Sequence, residues 1–232
     1  MNELIILAGG LGTRLRSEVP DLPKCLAPVN GVPFIDYVVQ YFQSQKIKKF
    51  IFALGYKSEI LQKHLLEKYA SKGIFFSIEK EPLGTGGAIK LACSKACGEN
   101  IFVTNGDTLF KVNAKTVANL HLEKKSCCTL ALKPMKNFDR FGAVKMDNDD
   151  RITQFSEKKY YAEGLINGGF YALNTADFLQ KKFPEKFSFE KDFLEKFYVE
   201  GNMFASVQDA YFIDMGIPED YKRASTELKY ER

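Results

Sequence analysis

Four short apolar-rich runs in the first half of the chain constrain its fold more than any other feature. They are Leu4-Ile5-Ile6-Leu7-Ala8, Phe50-Ile51-Phe52-Ala53-Leu54, Ile74 to Ile78, and Ile101-Phe102-Val103-Thr104. The first two, without polar alternation, read as buried strands of a parallel sheet, and the other two as a third and a fourth strand. Helical patterns separate them. Phe34 to Phe42 has apolar residues at helical spacing, and Ser58 opens a helix through Leu66 with Ile60, Leu61 and Leu65 on one face. A third helical stretch covers Ala88 to Ala96. Regular βα alternation predicts a doubly wound α/β domain whose sheet is mostly parallel.

The pattern changes further on. Thr129 to Leu132, Ala143 to Met146, Ile152 to Phe155 and Gly168 to Leu173 read as strands with short connections. Helical stretches follow around Ala176 to Lys181 and Phe189 to Phe197, and Tyr211-Phe212-Ile213-Asp214 is a last strand. Pro218 suits a first helical turn, with Glu219 and Asp220 at the positive helix end. No linker, internal repeat or biased segment interrupts the chain, so its 232 residues read as one domain.

Composition narrows the function classes. A formal charge of +4 with 33 Lys and Arg scattered along the chain argues for solvated helix faces rather than a nucleic-acid patch. Mild positive charge still suits a phosphorylated small substrate. No stretch approaches the ~20 apolar residues a membrane helix needs, and the N-terminus lacks the basic start of a signal peptide. These features predict a cytoplasmic protein without membrane or nucleic-acid partners. Cys25, Cys93, Cys97, Cys127 and Cys128 have no CxxC spacing and read as reduced, mostly buried thiols. His64 and His121 lack partners at ligand spacing, which argues against a His/Cys metal site.

Five segments could carry chemistry. Leu7-Ala8-Gly9-Gly10-Leu11-Gly12-Thr13-Arg14-Leu15 is a glycine turn after the first strand, where backbone N–H groups can approach phosphate. It is neither a dinucleotide fingerprint nor a P-loop: Leu15 stands where the third Gly should be, and no Gly-Lys-Ser/Thr follows. It fits another kind of nucleotide loop with Arg14 as a fixed cation, or a plain tight turn. In Leu22-Pro23-Lys24-Cys25-Leu26-Ala27-Pro28, two prolines stiffen the surroundings of Lys24. Glu79-Lys80-Glu81-Pro82-Leu83-Gly84-Thr85-Gly86-Gly87-Ala88 reads as a loop whose glycines let a flat ring lie against backbone. Asp107, after Asn105-Gly106, and Asp214 each close a strand, the edge where open α/β sheets bind ligands. Two such carboxylates suit Mg²⁺ shared with phosphate oxygens.

These segments together resemble the sugar-1-phosphate nucleotidyltransferases over nearly the whole chain. Leu7 to Leu15 with Pro23-Lys24 is similar to that family's signature, and Asn105-Gly106-Asp107 and Phe212-Ile213-Asp214-Met215-Gly216 are similar to its two metal-binding segments. Leu165-Ile166-Asn167-Gly168-Gly169, the Glu79–Ala88 segment and Pro218-Glu219-Asp220-Tyr221 most resemble members that join GTP to a heptose 1-phosphate. Cys25-Leu26 and Val32 depart from the common pattern without removing a charged group.

The resemblance implies a single Rossmann-like nucleotidyltransferase domain with a mixed, mostly parallel central sheet. Its nucleotide-binding part would span about residues 1–110 and its sugar-phosphate-binding part about 111–232. It implies Mg²⁺ on Asp107 and Asp214, and catalytic roles for Arg14, Lys24, Asp107 and Asp214. Leu7, Ala8, Gly9, Gly10, Gly12, Thr13, Glu79, Glu81, Gly84, Thr85 and Asn105 would meet the nucleotide. Glu157, Lys158, Asn167 and Gly168 would meet the sugar phosphate, with Gly142 leaving room for the ring. The partners would be an NTP and a sugar 1-phosphate, and a homodimer is compatible with the sequence. Another sugar or base within the family, or a non-catalytic nucleotide-sugar sensor, remain the alternatives. A sensor should have lost one of the four charged residues, and all four are present.

Overall fold

A computed structural model of the chain describes residues 1–10, 22–69 and 73–230. The chain enters a central sheet with β1 (Glu3–Leu7). A small hairpin, β2 (Pro28–Val29) and β3 (Val32–Pro33), leads into helix α1 (Phe34–Ser44). Then come β4 (Lys49–Leu54), α2 (Ser58–Tyr69), β5 (Ile74–Ile78), α3 (Gly84–Cys93) and β6 (Asn100–Asn105). The second half runs β7 (Thr108–Phe110), α4 (Ala114–Glu123), β8 (Cys128–Phe138), β9 (Val144–Met146), β10 (Ile152–Phe155), β11 (Tyr161–Asn174) and α5 (Thr175–Gln180). A π-helical turn (Phe189–Leu194), the short α6 (Glu195–Phe197), β12 (Met203–Val207), β13 (Phe212–Asp214) and α7 (Pro218–Glu227) complete it.

Seven strands form the central sheet in the order β12-β8-β11-β6-β1-β4-β5. Only β11 runs against its neighbours; β1, β4, β5 and β6 are mutually parallel. The mostly parallel sheet is therefore as the sequence led us to expect. The apolar runs of β1, β4 and β6 follow from burial on both faces, whereas β5, at the sheet edge, leaves Phe75 and Ile78 exposed. Leu4, Ile6, Phe50 and Phe52 face a layer containing Phe34, Val38 and Phe42 of α1. Ile5, Ile51 and Val103 face Ile89 of α3 and Phe189 and Phe193 of the π-helical turn. From β1 the chain goes to β4 and β5 on one side, then returns to place β6 on the other. A crevice opens at such a reversal, beyond the C-terminal ends of the two adjacent strands. Gly106 N–H closes its floor by donating to the Leu7 carbonyl at 2.8 Å.

Several expected boundaries shift. Helix α3 begins at Gly84 rather than Ala88. Glycine disfavours helix intrinsically, and here tertiary packing overrides that preference. A Cβ on Gly86 would lie 2.2 Å from the Phe187 ring, and one on Gly87 would lie 2.9 Å from the Glu185 carbonyl. Strands β8 and β11 extend well beyond the expected Thr129–Leu132 and Gly168–Leu173. β12 was not anticipated from the sequence. On α2, Leu61 and Leu65 are buried as expected, but Ile60 faces outward. No helix among the described residues is long and apolar enough to cross a membrane.

Candidate active site

The site begins where β6 ends. Asn105-Gly106-Asp107 carries the chain off the sheet and into β7, which pairs antiparallel with β13. In that register Asp214 stands opposite Thr108, next to Asp107, and Met215 N–H donates to the Asp107 carbonyl at 2.9 Å. Two residues 107 positions apart in sequence thus become neighbours through one short ladder. Lys24 approaches from the other side on a single 3₁₀ turn, Lys24–Leu26, set after Pro23. Its Nζ donates to Asp107 Oδ2 at 2.5 Å and lies 3.9 Å from Asp214 Oδ1.

The three groups form an electrostatic unit. Burial, and then the charge of Asp107, hold the Asp214 carboxyl above the usual carboxylate range. Lys24 and Arg140 oppose that shift. Arg140 Nη2 is 3.8 Å from Asp214, while its Nη1 donates to Asp220 in the first turn of α7 at 2.6 Å. Two adjacent carboxylates, one of them poorly solvated, require positive charge beside them. Among the described residues no group of three or more His, Cys, Asp or Glu could hold a metal ion.

Two clefts meet at this unit. One, of about 610 Å³, lies over the ends of β1 and β4. Of the residues expected to meet the nucleotide, Leu7, Gly9, Gly10, Glu79, Glu81, Gly84, Thr85 and Asn105 line it. Ala8 does not: its N–H donates to the Ala53 carbonyl, and its methyl packs under Gly106. Gly12, Thr13 and Arg14 lie outside the described residues. Glu79 has one oxygen held by Leu83 N–H at 3.0 Å, and its other oxygen lies over Gly55 and Gly9. The Thr85 hydroxyl is already used, donating to Glu190 Oε2 and accepting from Phe189 N–H, both at 2.8 Å. Gly86 and Gly87 point into protein rather than into the cleft, which corrects their expected role as a bed for a flat ring.

The second cleft, of about 620 Å³, contains all five residues expected at the sugar phosphate: Gly142, Glu157, Lys158, Asn167 and Gly168. Lys24, Asp107 and Asp214 form its inner end. The glycines are required there for packing, not for room. A Cβ on Gly142 would meet the Ser156 carbonyl at 2.4 Å, and one on Gly168 would meet the Phe110 ring at 2.3 Å. Gly168 and Gly169 lie in a bulge of β11, between Asn167 paired with Leu132 and Tyr171 paired with Leu130. Bulges re-aim side chains beside active sites. Gly169 has φ +74°, and Asn167 Oδ1 accepts its N–H at 3.0 Å while Asn167 Nδ2 donates to the Tyr171 hydroxyl at 2.9 Å.

Sequence reading missed Glu190, which lines both clefts, and Arg140, which backs Asp214. Neither is flagged by a glycine or a strand end. Lys191 and Phe141 of the second cleft were also missed.

This arrangement can hold two phosphorylated ligands end to end across one cluster of charge. The nucleotidyl transferase profile matches residues 3–231. The chain belongs to the nucleotidyl transferase family. Within that family, it is 48% identical to D-glycero-α-D-manno-heptose 1-phosphate guanylyltransferase of Aneurinibacillus thermoaerophilus, over 98% of this chain and 99% of the relative. The protein of the same name from Campylobacter jejuni subsp. jejuni serotype O:2 is 44% identical, over 94% and 96%. The crystal structure of HddC from Yersinia pseudotuberculosis complexed with GMP-PN superposes with a TM-score of 0.88 at 37% identity, covering 99% of this chain and all of that one.

Proposed function

We propose that this nucleotidyl transferase moves a guanylyl group from GTP to D-glycero-α-D-manno-heptose 1-phosphate, giving GDP-heptose and pyrophosphate. One observation carries the reading: the two clefts share Asn105, Asp107 and Glu190 as a common wall, with Lys24 and Asp214 beside it. Two polyanions bound one per cleft would meet at that wall. The relatives bearing this activity in their names span nearly the full chain, which supports the substrate pair.

A phosphate oxygen of the sugar phosphate attacks the α-phosphorus of GTP in line, and pyrophosphate leaves. The attacker is already an anion, so no general base is needed. The barrier is the approach of two like-charged groups, which charge neutralisation and positioning lower. Lys24 pairs with Asp107 and lies near Asp214, and we assign it to bridge the α-phosphate and the incoming phosphate. Arg14 would hold the departing phosphates. Lys158 would bind the sugar phosphate, with Glu157 and Asn167 toward its hydroxyls. The donor set of Asp107 and Asp214 fits Mg²⁺, which takes few protein carboxylates and fills its shell with water and phosphate oxygens. When bound, Mg²⁺ would neutralise charge at the α-phosphate. Guanine presents N1–H and N2–H₂ donors, and we assign Glu79 and Glu81 on the nucleotide cleft as their carboxylate acceptors.

The test is a panel of NTPs against heptose, mannose and glucose 1-phosphates, read by pyrophosphate release. The expected result is the highest kcat/KM for GTP with the heptose 1-phosphate. A site that hydrogen-bonds a base's donors rejects a base lacking them by ~10⁴. A hydroxymethyl carbon is worth only ~10–200-fold, so slower turnover of mannose 1-phosphate is expected. A higher kcat/KM for UTP or dTTP than for GTP refutes the guanylyl assignment.

A further inference from the structure

Glu190 stands where the two clefts meet, and the reaction proposed above leaves it without a task. Only Asn105 and Asp107 share its position on both walls among the described residues. It belongs to the π-helical turn Phe189–Leu194, a rare i→i+5 geometry that concentrates at functional sites. The turn is built to hold this side chain. Oε2 accepts from the Thr85 hydroxyl at 2.8 Å and from the Ser188 hydroxyl at 3.0 Å. The Thr85 hydroxyl in turn accepts from Phe189 N–H, and Ser188 Oγ accepts from Lys191 N–H. Gly86 N–H donating to the Phe187 carbonyl, and Phe187 N–H donating to Leu83, lock the start of α3 against the same segment.

The carboxylate is thus aimed from several sides, yet it makes no ion pair among the described residues. Its charge reaches the buried Tyr171 hydroxyl, whose pKa it helps to raise after burial itself, and that hydroxyl is the partner of Asn167. Glu190, Tyr171 and Asn167 line the same second cleft. A fixed anion repels phosphate and attracts hydroxyl donors. A carboxylate acceptor makes a charge-assisted hydrogen bond to a sugar hydroxyl, and that bond is lost when either partner is removed.

We propose that Glu190 is a sugar-binding residue: its Oε1 accepts a hydrogen bond from a ring hydroxyl of the sugar 1-phosphate, with Oε2 held in place by Thr85 and Ser188. The proposal rests on the reading of the second cleft as the sugar-phosphate site. It makes the helix start on the nucleotide side a support for sugar recognition, because Thr85 orients the residue that meets the sugar.

The experiment compares Glu190→Gln and parent enzyme with whichever sugar 1-phosphate the parent turns over, using that sugar and its monodeoxy analogues. The expected result is a ~10–100-fold rise in KM for the sugar phosphate with the KM for GTP within about threefold. One deoxy analogue should be penalised in the parent and lose that extra penalty in Glu190→Gln, a coupling that mere loosening of the turn would not produce. GTP and 2′-deoxy-GTP provide the second arm, because a ribose would offer the same hydroxyl chemistry. Unchanged discrimination between them in the variant supports the sugar. Loss of that discrimination with an unchanged sugar-phosphate KM overturns the proposal, as do deoxy penalties identical in parent and variant. Should Glu190→Gln fail to fold, Thr85→Val removes the steering hydroxyl and must shift the same sugar-phosphate KM; no shift overturns the proposal. A parent that turns over no sugar 1-phosphate with any NTP would refute the proposed function instead, which keeps the two failures apart.

Discussion

Gly168→Ala is the smallest change that should reach both stability and chemistry. An added Cβ would lie 2.3 and 2.4 Å from two carbons of the Phe110 ring and 3.2 Å from the Ala131 carbonyl. Optimal carbon–carbon contact is about 3.5–4.0 Å, so the ring must retreat by more than ~1 Å. It has nowhere to go. Phe110 is 1% exposed and packs edge-on against Phe212 with centroids 5.6 Å apart. Phe110 and Phe212 are also a pair in the β7–β13 ladder, three residues after Asp107 and two before Asp214. Overpacking of this kind costs ~1–3 kcal/mol, and a ~1 Å displacement of reacting groups can cost ~10²-fold in rate. Urea denaturation should therefore show a destabilisation of that size with an unchanged m-value, and kcat should fall by about two orders of magnitude. A variant within 0.5 kcal/mol of the parent by the same estimate, and within twofold in kcat, would refute the claim that this glycine holds the ladder.

Other perturbations separate the remaining roles. Asp107→Asn and Asp214→Asn should each lower kcat by ~10²–10³ with the fold retained by circular dichroism, and near-normal turnover of both at saturating Mg²⁺ would remove the carboxylate pair from the mechanism. EDTA should abolish parental activity and added Mg²⁺ restore it. Lys158→Met should raise KM for the sugar phosphate while sparing GTP affinity by calorimetry; the reverse pattern would move Lys158 to the nucleotide. His121 should make the protein acid-sensitive. Its ring nitrogens bond Thr129 and Asn100 at 3.0 and 2.9 Å, and burial lowers its pKa from 6.5 to about 4. The unfolded chain then takes up the proton first, so stability held above pH 6.5 is lost as pH falls toward 4, ~2 kcal/mol of it by pH 5. Comparing parent with His121→Asn by urea melts at pH 7.5 and 5 isolates this contribution, and parallel losses in the two proteins would disprove it.

The sequence alone determined the layered fold and the charged centre. Unbroken apolar runs such as Leu4–Leu7 and Phe50–Leu54 are compatible only with burial on both faces, and that demands helices on both sides of a parallel sheet. The carboxylates Asp107 and Asp214 and the proline-flanked Lys24 were likewise legible, the first two because each stands at a strand end and the last because prolines bracket it. What the tertiary structure decided is which of these groups meet, and why each glycine is there. The ladder register brings Asp214 beside Asp107, a fact that no local pattern encodes. Gly86 read as a bed for a flat ring, Gly142 as room for the sugar and Gly168 as a sugar contact, yet each is needed because another part of the chain lies within 2.4 Å of where its Cβ would be. Glu190 carries no local signal in the sequence and gains its place only where folding lays the Phe189–Leu194 turn against Thr85. Local chemistry sets what a residue can do, but contacts between segments a hundred residues apart arise only when the core closes, and that closure chose which residues line the clefts.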